Sequence, residues 1–108
     1  MTTATGRALE IVTIGLGQAG GNLAAEFARR GYRGLAFNTA ATDLSTLSNT
    51  GLLLPEEQRC YIGMDGHDGA GSDSSYGRQC IVANAAEIRE RVAAHAAGAD
   101  VVMITCGL

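Results

Sequence analysis

The chain has 108 residues, of which 46% are hydrophobic and 18% charged, and its formal net charge is −3. That length suits one domain with a real core, because a chain of this size buries about two-thirds of its unfolded surface. The weak negative charge disfavours nucleic acid and membranes as partners, since Arg29-Arg30 is the only adjacent pair of basic residues. No apolar run reaches the roughly 20 residues of a membrane span, and Met1 to Arg7 lacks the apolar stretch of a secretory signal, so we expect a cytoplasmic protein.

The first half of the chain has the pattern of a βαβ unit. Residues 1–8 are predicted to be a disordered tail, followed by a single domain over residues 9–108. Leu9 to Leu16 is a nearly continuous apolar run, as expected of a strand that is covered on both faces. From Gly20 to Arg30 apolar residues recur at helical spacing, and Arg33 to Asn38 is predicted to be a second strand.

The second half is predicted to hold two helices, two strands and their connections. In chain order these are a short helix over Thr42–Leu47, a turn over Pro55–Gln58, a strand over Arg59–Gly63, a loop over Met64–Tyr76, a helix over Gly77–Ala97 and a strand over Asp100–Thr105. Glu87 and Arg91 have the spacing of a favourable ion pair on the second helix. An apolar strand at this position is expected to continue into a further loop and helix, so the chain has the pattern of a partial domain.

A glycine-rich turn joins the first predicted strand to the first predicted helix. Gly15, Gly17 and Gly20 match the spacing of the dinucleotide-binding fingerprint in the correct strand-to-helix context. Such a turn brings backbone N–H groups and a helix N-terminus to one place, which favours a phosphate ligand. An NAD site also needs an acidic residue at the end of the second strand, where this chain has Asn38-Thr39. An NAD(P)-binding domain of an oxidoreductase therefore stays an alternative.

Four segments in order resemble one family more closely than they resemble dehydrogenases. They are Gly17-Gln18-Ala19-Gly20-Gly21-Asn22, Asn38-Thr39, Gly69-Ala70-Gly71-Ser72-Asp73 and Ala99 to Leu108. Together they resemble the N-terminal half of the tubulin/FtsZ GTPase domain over about residues 9–108. The resemblance implies a three-layer Rossmann-like α/β fold, with a parallel sheet in the order 3-2-1-4 and helices on both faces. It also implies GTP as the ligand, with Mg²⁺ accompanying the nucleotide.

The resemblance assigns nucleotide contacts to thirteen positions. In the first loop they are Gly17, Gln18, Ala19, Gly20, Gly21 and Asn22, with Gln18 near the phosphates and Asn22 towards the ribose and base. Asn38 and Thr39 would line the second loop, and Gly69, Ala70, Gly71, Ser72 and Asp73 would sense the terminal phosphate. The chain has no Walker lysine, so backbone N–H groups, a helix dipole and a metal ion would have to meet the phosphate charge.

The chain departs from the family pattern at two places. Ala40 stands where many FtsZ sequences carry an acid, and the third loop, usually Gly-Ala-Gly-x-Asn-Pro, here ends in Ser72-Asp73-Ser74. The family's glycine-rich phosphate loop with its central threonine would begin just after Leu108. We therefore assign no catalytic residue and no side-chain metal ligand, and we expect this chain alone to be inactive and weak in nucleotide binding.

The intact protein, by this resemblance, would polymerise head-to-tail and hydrolyse GTP at the subunit interface, without direct contact to nucleic acid or membrane. A second alternative is a non-enzymatic regulator of tubulin-like filaments. The remaining side chains with reactive or aromatic character are predicted to serve packing. Cys60, Cys80 and Cys106 form no CxxC pair and have no basic neighbour that would mark a reactive thiolate, and Phe27, Phe37, Tyr32 and Tyr61 are predicted to lie in the core.

Overall fold

The computed structural model of the chain describes residues 9–49, 54–63 and 74–107. The strands are β1 (Ile11–Leu16), β2 (Arg33–Asn38), β3 (Arg59–Tyr61) and β4 (Val101–Cys106), and the helices are α1 (Gly17–Arg29), α2 (Ala41–Asn49), α3 (Ser74–Ala83) and α4 (Ala85–Ala96). A 3₁₀ turn over Glu56–Gln58 precedes β3. The tail predicted for residues 1–8 lies outside the described residues. None of the described helices is long and apolar enough to cross a membrane.

The strands form one parallel sheet in the order β3-β2-β1-β4. This confirms the predicted α/β class, the parallel pairing and the order 3-2-1-4. β1 lies in the interior of the sheet, with Ile14 opposite Leu35 of β2 on one side and Ile104 of β4 on the other. This position explains the nearly continuous apolar run from Leu9 to Leu16, because an interior strand of a parallel sheet is covered on both faces.

Two apolar clusters pack on opposite faces of the sheet and make the three layers. One is formed by Ile14, Leu35, Phe37, Cys60 and Ile62, with Ile88 and Val92 of α4 packed against it. The other is formed by Ala25 of α1, Leu44 and Leu47 of α2, Ala36 and Leu54. The pair α1 and α2 therefore covers one face, and α4 covers the other face over β1 and β2.

The first helix begins three residues earlier than predicted. The expected loop over Gly17-Gln18-Ala19 is instead the first turn of α1, which starts directly after Leu16. Gly17 has a φ of 75°, and this left-handed conformation turns the chain from strand to helix without an intervening loop.

The continuous helix predicted over Gly77–Ala97 is wrong, because the structure divides it into α3 and α4 at Asn84. The side-chain amide of Asn84 donates hydrogen bonds to the carbonyl oxygens of Cys80 (2.8 Å) and Ile62 (3.2 Å). Asn side chains compete with the helical ladder in this way, which breaks the helix and ties it to the end of β3. The predicted loop also ends earlier than expected, since α3 begins at Ser74.

The prediction that Phe27, Phe37, Tyr32 and Tyr61 lie in the core is wrong for Tyr61, which is 41% exposed. Side chains alternate along a strand, so Cys60 points into the core and Tyr61 points away from it. Phe37 is buried as predicted. Phe27 and Tyr32 are partly buried and pack edge-to-face, with their ring centroids 5.7 Å apart.

Candidate functional site

The candidate site lies at the carboxyl edge, the edge of the sheet where the strands end at Leu16, Asn38, Tyr61 and Cys106. In an open parallel sheet, ligands bind outside this edge at the point where the strand order reverses. Here the reversal falls between β1 and β4. The N-terminal turn of α1 lies over that point, because a Cβ on Gly107 would come 3.1 Å from the Cβ of Ala19.

The N-terminus of α1 is open. Leu16 occupies the N-cap position without a side-chain hydrogen bond to the helix, and the first turn holds no acidic residue. The first backbone N–H groups of a helix have no partner within it, and the helix dipole makes this end positive. Gly17, Gln18 and Ala19 are all exposed. Within the described part of the chain no side chain caps this end of the helix, and its exposed first turn offers backbone donors of the kind that an anion site uses.

The structure separates the six predicted residues of the first loop into two groups. Gly17, Gln18, Ala19 and Asn22 are exposed, whereas Gly20 and Gly21 are buried. Gly20 packs against β4, because a Cβ on it would overlap the carbonyl oxygen of Thr105. The glycine spacing in the sequence thus serves close packing of helix on sheet as well as the open turn at Gly17.

Thr105 was missed as a contact residue: the sequence placed it in a strand and in the resembling segment Ala99 to Leu108, without a role in the site. Its hydroxyl donates a 3.0 Å hydrogen bond to the carbonyl oxygen of Gly20 and thereby holds α1 on β4. Gly15 is equally restricted, since a Cβ there would overlap the Gly20 carbonyl. A strand pattern alone gives no signal for either contact.

Asn38 and Thr39 lie where the second loop was predicted, at the end of β2. The side-chain oxygen of Asn38 accepts a 2.9 Å hydrogen bond from the N–H of Ala40, which fixes the turn into α2. The carbonyl oxygen of Asn38 accepts the N–H of Ile62 at 2.9 Å, joining the ends of β2 and β3. Thr39 is partly exposed beside them. Ala40, at the position where many FtsZ sequences carry an acid, is buried.

An apolar cleft of about 420 Å³ opens beside these residues, between the sheet and the helices α3 and α4. Its walls are Ile14, Phe37, Ile62, Ile81, Ile88, Val92 and Ile104, and Gly17, Asn38 and Thr39 lie at its rim. The volume is in the range of small-molecule pockets. Walls of this kind suit an uncharged ring and not a phosphate, so phosphates fit the tip of α1 better than the cleft.

The third predicted loop, Gly69 to Asp73, lies outside the described residues, so its position relative to the carboxyl edge stays a prediction. Within the described ranges, no three His, Cys, Asp or Glu side chains come together in a way that could hold a metal ion.

Two expectations about the cysteines are wrong. Cys106 is exposed at the end of β4, although it was predicted to pack inside. Cys60 has a basic neighbour after all, because the guanidinium of Arg91 lies 3.4 Å from its sulfur. Burial raises the pKa of the Cys60 thiol, and Arg91 only partly offsets that effect. Cys60 is thus a buried, protonated packing residue, and a separation of 31 residues hid its neighbour from the sequence.

Comparisons of the chain with family models, with curated proteins and with solved structures find no match.

Proposed function

We propose that this chain is the GTP-binding portion of a tubulin/FtsZ-like cytoskeletal GTPase. One observation supports it most: the uncapped N-terminus of α1 lies at the carboxyl edge where the strand order reverses, beside Asn38-Thr39. Its first-turn residues are exposed at that point. The motif order resembles that family, and a parallel sheet in the order 3-2-1-4 is the architecture the resemblance implies.

In this proposal the phosphates bind to main-chain donors. The N–H groups of Gly17, Gln18 and Ala19 face the phosphates, and the dipole of the 13-residue α1 adds to their attraction. The chain contains no lysine, and the arginines of β2 and β3, Arg33 and Arg59, start their strands at the opposite edge of the sheet. Mg²⁺ would accompany the nucleotide and neutralise part of its charge.

The buried glycines contribute to phosphate binding indirectly, through the packing of α1. Gly20 lets α1 lie close against β4, which fixes the direction of its N-terminal donors, while Gly21 is buried near Ala36 and Leu47 with room for ordinary contact. Asn38 holds the turn at the end of β2 and leaves Thr39 partly exposed at the rim of the apolar cleft. Guanine as the base comes from the resemblance alone, as do head-to-tail filaments and hydrolysis between subunits. A heterologous interface that does not close would produce such filaments.

The proposal is tested by following backbone amide signals of the 11.1 kDa chain by NMR during titration. The ligands are GTP with Mg²⁺, tripolyphosphate with Mg²⁺ and NAD. Millimolar binding is detectable in this way, which matters because we expect this chain alone to bind weakly. GTP and tripolyphosphate should both shift the signals of Gly17, Gln18, Ala19 and Thr39, and GTP should add shifts at Asn22. A response to NAD that exceeds the response to GTP, or phosphate shifts confined to other residues, would overturn the proposal.

A further inference from the structure

The last turn of α4 is joined to the start of β2 by two side-chain contacts. The guanidinium of Arg33, the first residue of β2, donates a 3.2 Å hydrogen bond to the carbonyl oxygen of Ala97, the C-cap residue of α4. In return, the imidazole of His95 in that turn makes a hydrogen bond to the backbone of Arg33. Both contacts lie where β2 begins, at the edge of the sheet opposite the candidate site, and β2 lies between β1 and β3.

The surroundings of His95 suit a neutral imidazole. Its Nε2 atom is buried and has no hydrogen-bond partner among the described residues. In the neutral ring this atom can be an unprotonated acceptor, whereas in the imidazolium both ring nitrogens are donors. Protonation in place would therefore leave a charged N–H buried without an acceptor, which costs more than an unpaired neutral acceptor.

A guanidinium that is held in place opposes a charge on His95. Arg33 is fixed on its other side by Glu10, whose carboxylate oxygen lies 3.5 Å from the Nε atom of Arg33. Burial is the main cause that lowers the pKa of His95, and the positive charge of Arg33 lowers it further. The contact between α4 and β2 therefore belongs to the neutral form of His95.

A groove of about 330 Å³ opens beside His95, and among the described residues that line it Glu57 is the only acid. Arg91, one turn earlier on α4, also lines the groove, so a charged His95 would meet two guanidinium groups. Arg91 is held by a carboxylate oxygen of Glu87 at 3.1 Å and by the carbonyl oxygen of Glu57 at 3.0 Å. Glu57 is exposed, and water weakens the attraction of its carboxylate for an imidazolium. The groove thus gives the ring a path to water without a buried partner for its charge.

We propose that His95, Arg33 and Ala97 form an acid-sensitive latch, which holds the last turn of α4 on β2 and releases it when His95 is protonated. The imidazolium then turns through the groove to water, where both of its N–H groups find acceptors. Release is local, because Ile88 and Val92 hold the earlier turns of α4 against the apolar core. A histidine with a lowered folded pKa keeps the latch fully closed above the solvated value of about 6.5, and the latch opens as pH falls from there through the folded pKa.

NMR of the 11.1 kDa chain, without nucleotide, tests the latch. At about pH 7.5 the ring protons of His95 should show nuclear Overhauser contacts to Arg33, and these should be lost over the pH range in which the ring signals of His95 titrate. The contacts of Val92 with the apolar core should persist, which distinguishes release of one turn from unfolding. Contacts to Arg33 that survive protonation of His95, or a ring that titrates only when the whole chain unfolds, would overturn the proposal.

Amide hydrogen exchange follows the released turn in a variant that cannot be protonated. The N–H of Ala99 donates a 3.0 Å hydrogen bond to the carbonyl oxygen of Ala96, directly after the latch. Corrected for the intrinsic effect of pH, its exchange should become several-fold faster between about pH 7.5 and about pH 5 in the wild type and should stay constant in His95→Gln. The same acceleration in both proteins would contradict the latch.

A pair of arginine variants tests the part of Arg33. Arg33→Gln removes the neighbouring charge, so the pKa of His95 should rise towards about 6.5. Arg89→Gln is the matched control, because Arg89 is exposed on the same helix and does not line the groove. It should change the pKa of His95 less, since solvent screens its charge. Equal changes in the two variants would mean that net charge, and not the contact with Arg33, governs His95.

Discussion

The hydroxyl of Thr105 donates a 3.0 Å hydrogen bond to the carbonyl oxygen of Gly20, and the carbonyl carbon of Thr105 lies 3.0 Å from where a Cβ on Gly20 would stand. Through these two contacts α1 lies directly against β4. Because the neighbouring atoms are backbone, they cannot rotate away from an added methyl group. The orientation of the α1 N-terminus at the carboxyl edge therefore depends on a residue without a side chain at position 20.

Gly20→Ala is expected to destabilise the fold by at least about 2 kcal/mol, because the added methyl group overlaps the β4 backbone. Urea denaturation measures the loss. Gly21→Ala is the matched control. A Cβ there would lie 3.5 Å from the side chain of Leu47, which is ordinary contact. Replacing glycine by alanine within a helix raises the free energy of unfolding by about 0.5–1 kcal/mol, so this variant should not be destabilised. Equal losses for the two variants would contradict the packing account.

Replacing Asn84 by aspartate is expected to destabilise the fold more than replacing it by alanine. Asn84→Ala removes two hydrogen bonds, to Cys80 and Ile62, and should cost about 1–2 kcal/mol of unfolding free energy. Asn84→Asp leaves a carboxylate facing the same two carbonyl oxygens, so repulsion adds to the loss. Thermal or urea unfolding of both variants distinguishes them. If the aspartate variant were as stable as wild type, the side-chain amide would not be what joins α3, α4 and β3.

His95 should make the protein less stable in mild acid. Burial lowers the pKa of His95, and the nearby charge of Arg33 lowers it further, against a hydrogen bond to the Arg33 backbone that raises it. Its neighbours in the same groove are Arg91 and Glu57. A histidine with a lowered folded pKa favours the fold fully above the unfolded value of about 6.5, and that stability is lost as pH falls through the folded pKa.

The urea midpoint should therefore decrease more between about pH 7.5 and about pH 5.5 in wild type than in His95→Gln. Carboxylate titration affects both proteins alike and cancels in the comparison. Identical pH dependence would mean that His95 is as well solvated in the fold as in the unfolded chain.

Thiol labelling should distinguish one cysteine from the other two. Cys106 is exposed and should react with a disulfide reagent within the native protein, at one equivalent per chain. Cys60 and Cys80 are buried, and burial also raises the pKa of Cys60, so both should react with the reagent only when the protein unfolds. Cys106→Ser should remove the fast phase completely. Two fast equivalents in the wild type would show that one of the buried thiols is accessible.

Sequence patterns predicted the helices and strands of this fold well where residues close together in the chain determine them. The apolar run at β1, the helical spacing after Gly20 and the strand at Arg33 to Asn38 were each read correctly to within about three residues. The break at Asn84 was missed because it depends on a hydrogen bond to Ile62, 22 residues away in sequence. The contacts of Thr105 with Gly20 and of Arg91 with Cys60 join positions that are still further apart along the chain, by 85 and 31 residues. Periodicity carries no information about such pairs, and they determine how the candidate site is built.

Gln18→Glu separates phosphate binding from folding at the same position. Gln18 is exposed in the first turn of α1, so a carboxylate there should stabilise the helix by about 0.3–1 kcal/mol through its dipole. The same carboxylate repels a phosphate bound to the neighbouring N–H groups, and the affinity for tripolyphosphate with Mg²⁺ should fall several-fold. NMR titration and urea denaturation measure the two effects on one sample.

The matched control is Gln79→Glu, an equal change at an exposed position within α3. It should leave phosphate affinity nearly unchanged, because its charge lies on α3 and not in the first turn of α1, and at an exposed position it is screened by salt. If both variants weakened binding alike, net charge rather than the helix end would govern it. If Gln18→Glu bound as tightly as wild type, the phosphates would lie elsewhere. Because the variant is expected to be more stable than wild type, any loss of binding reports on the site itself, which no substitution at Gly20 can do.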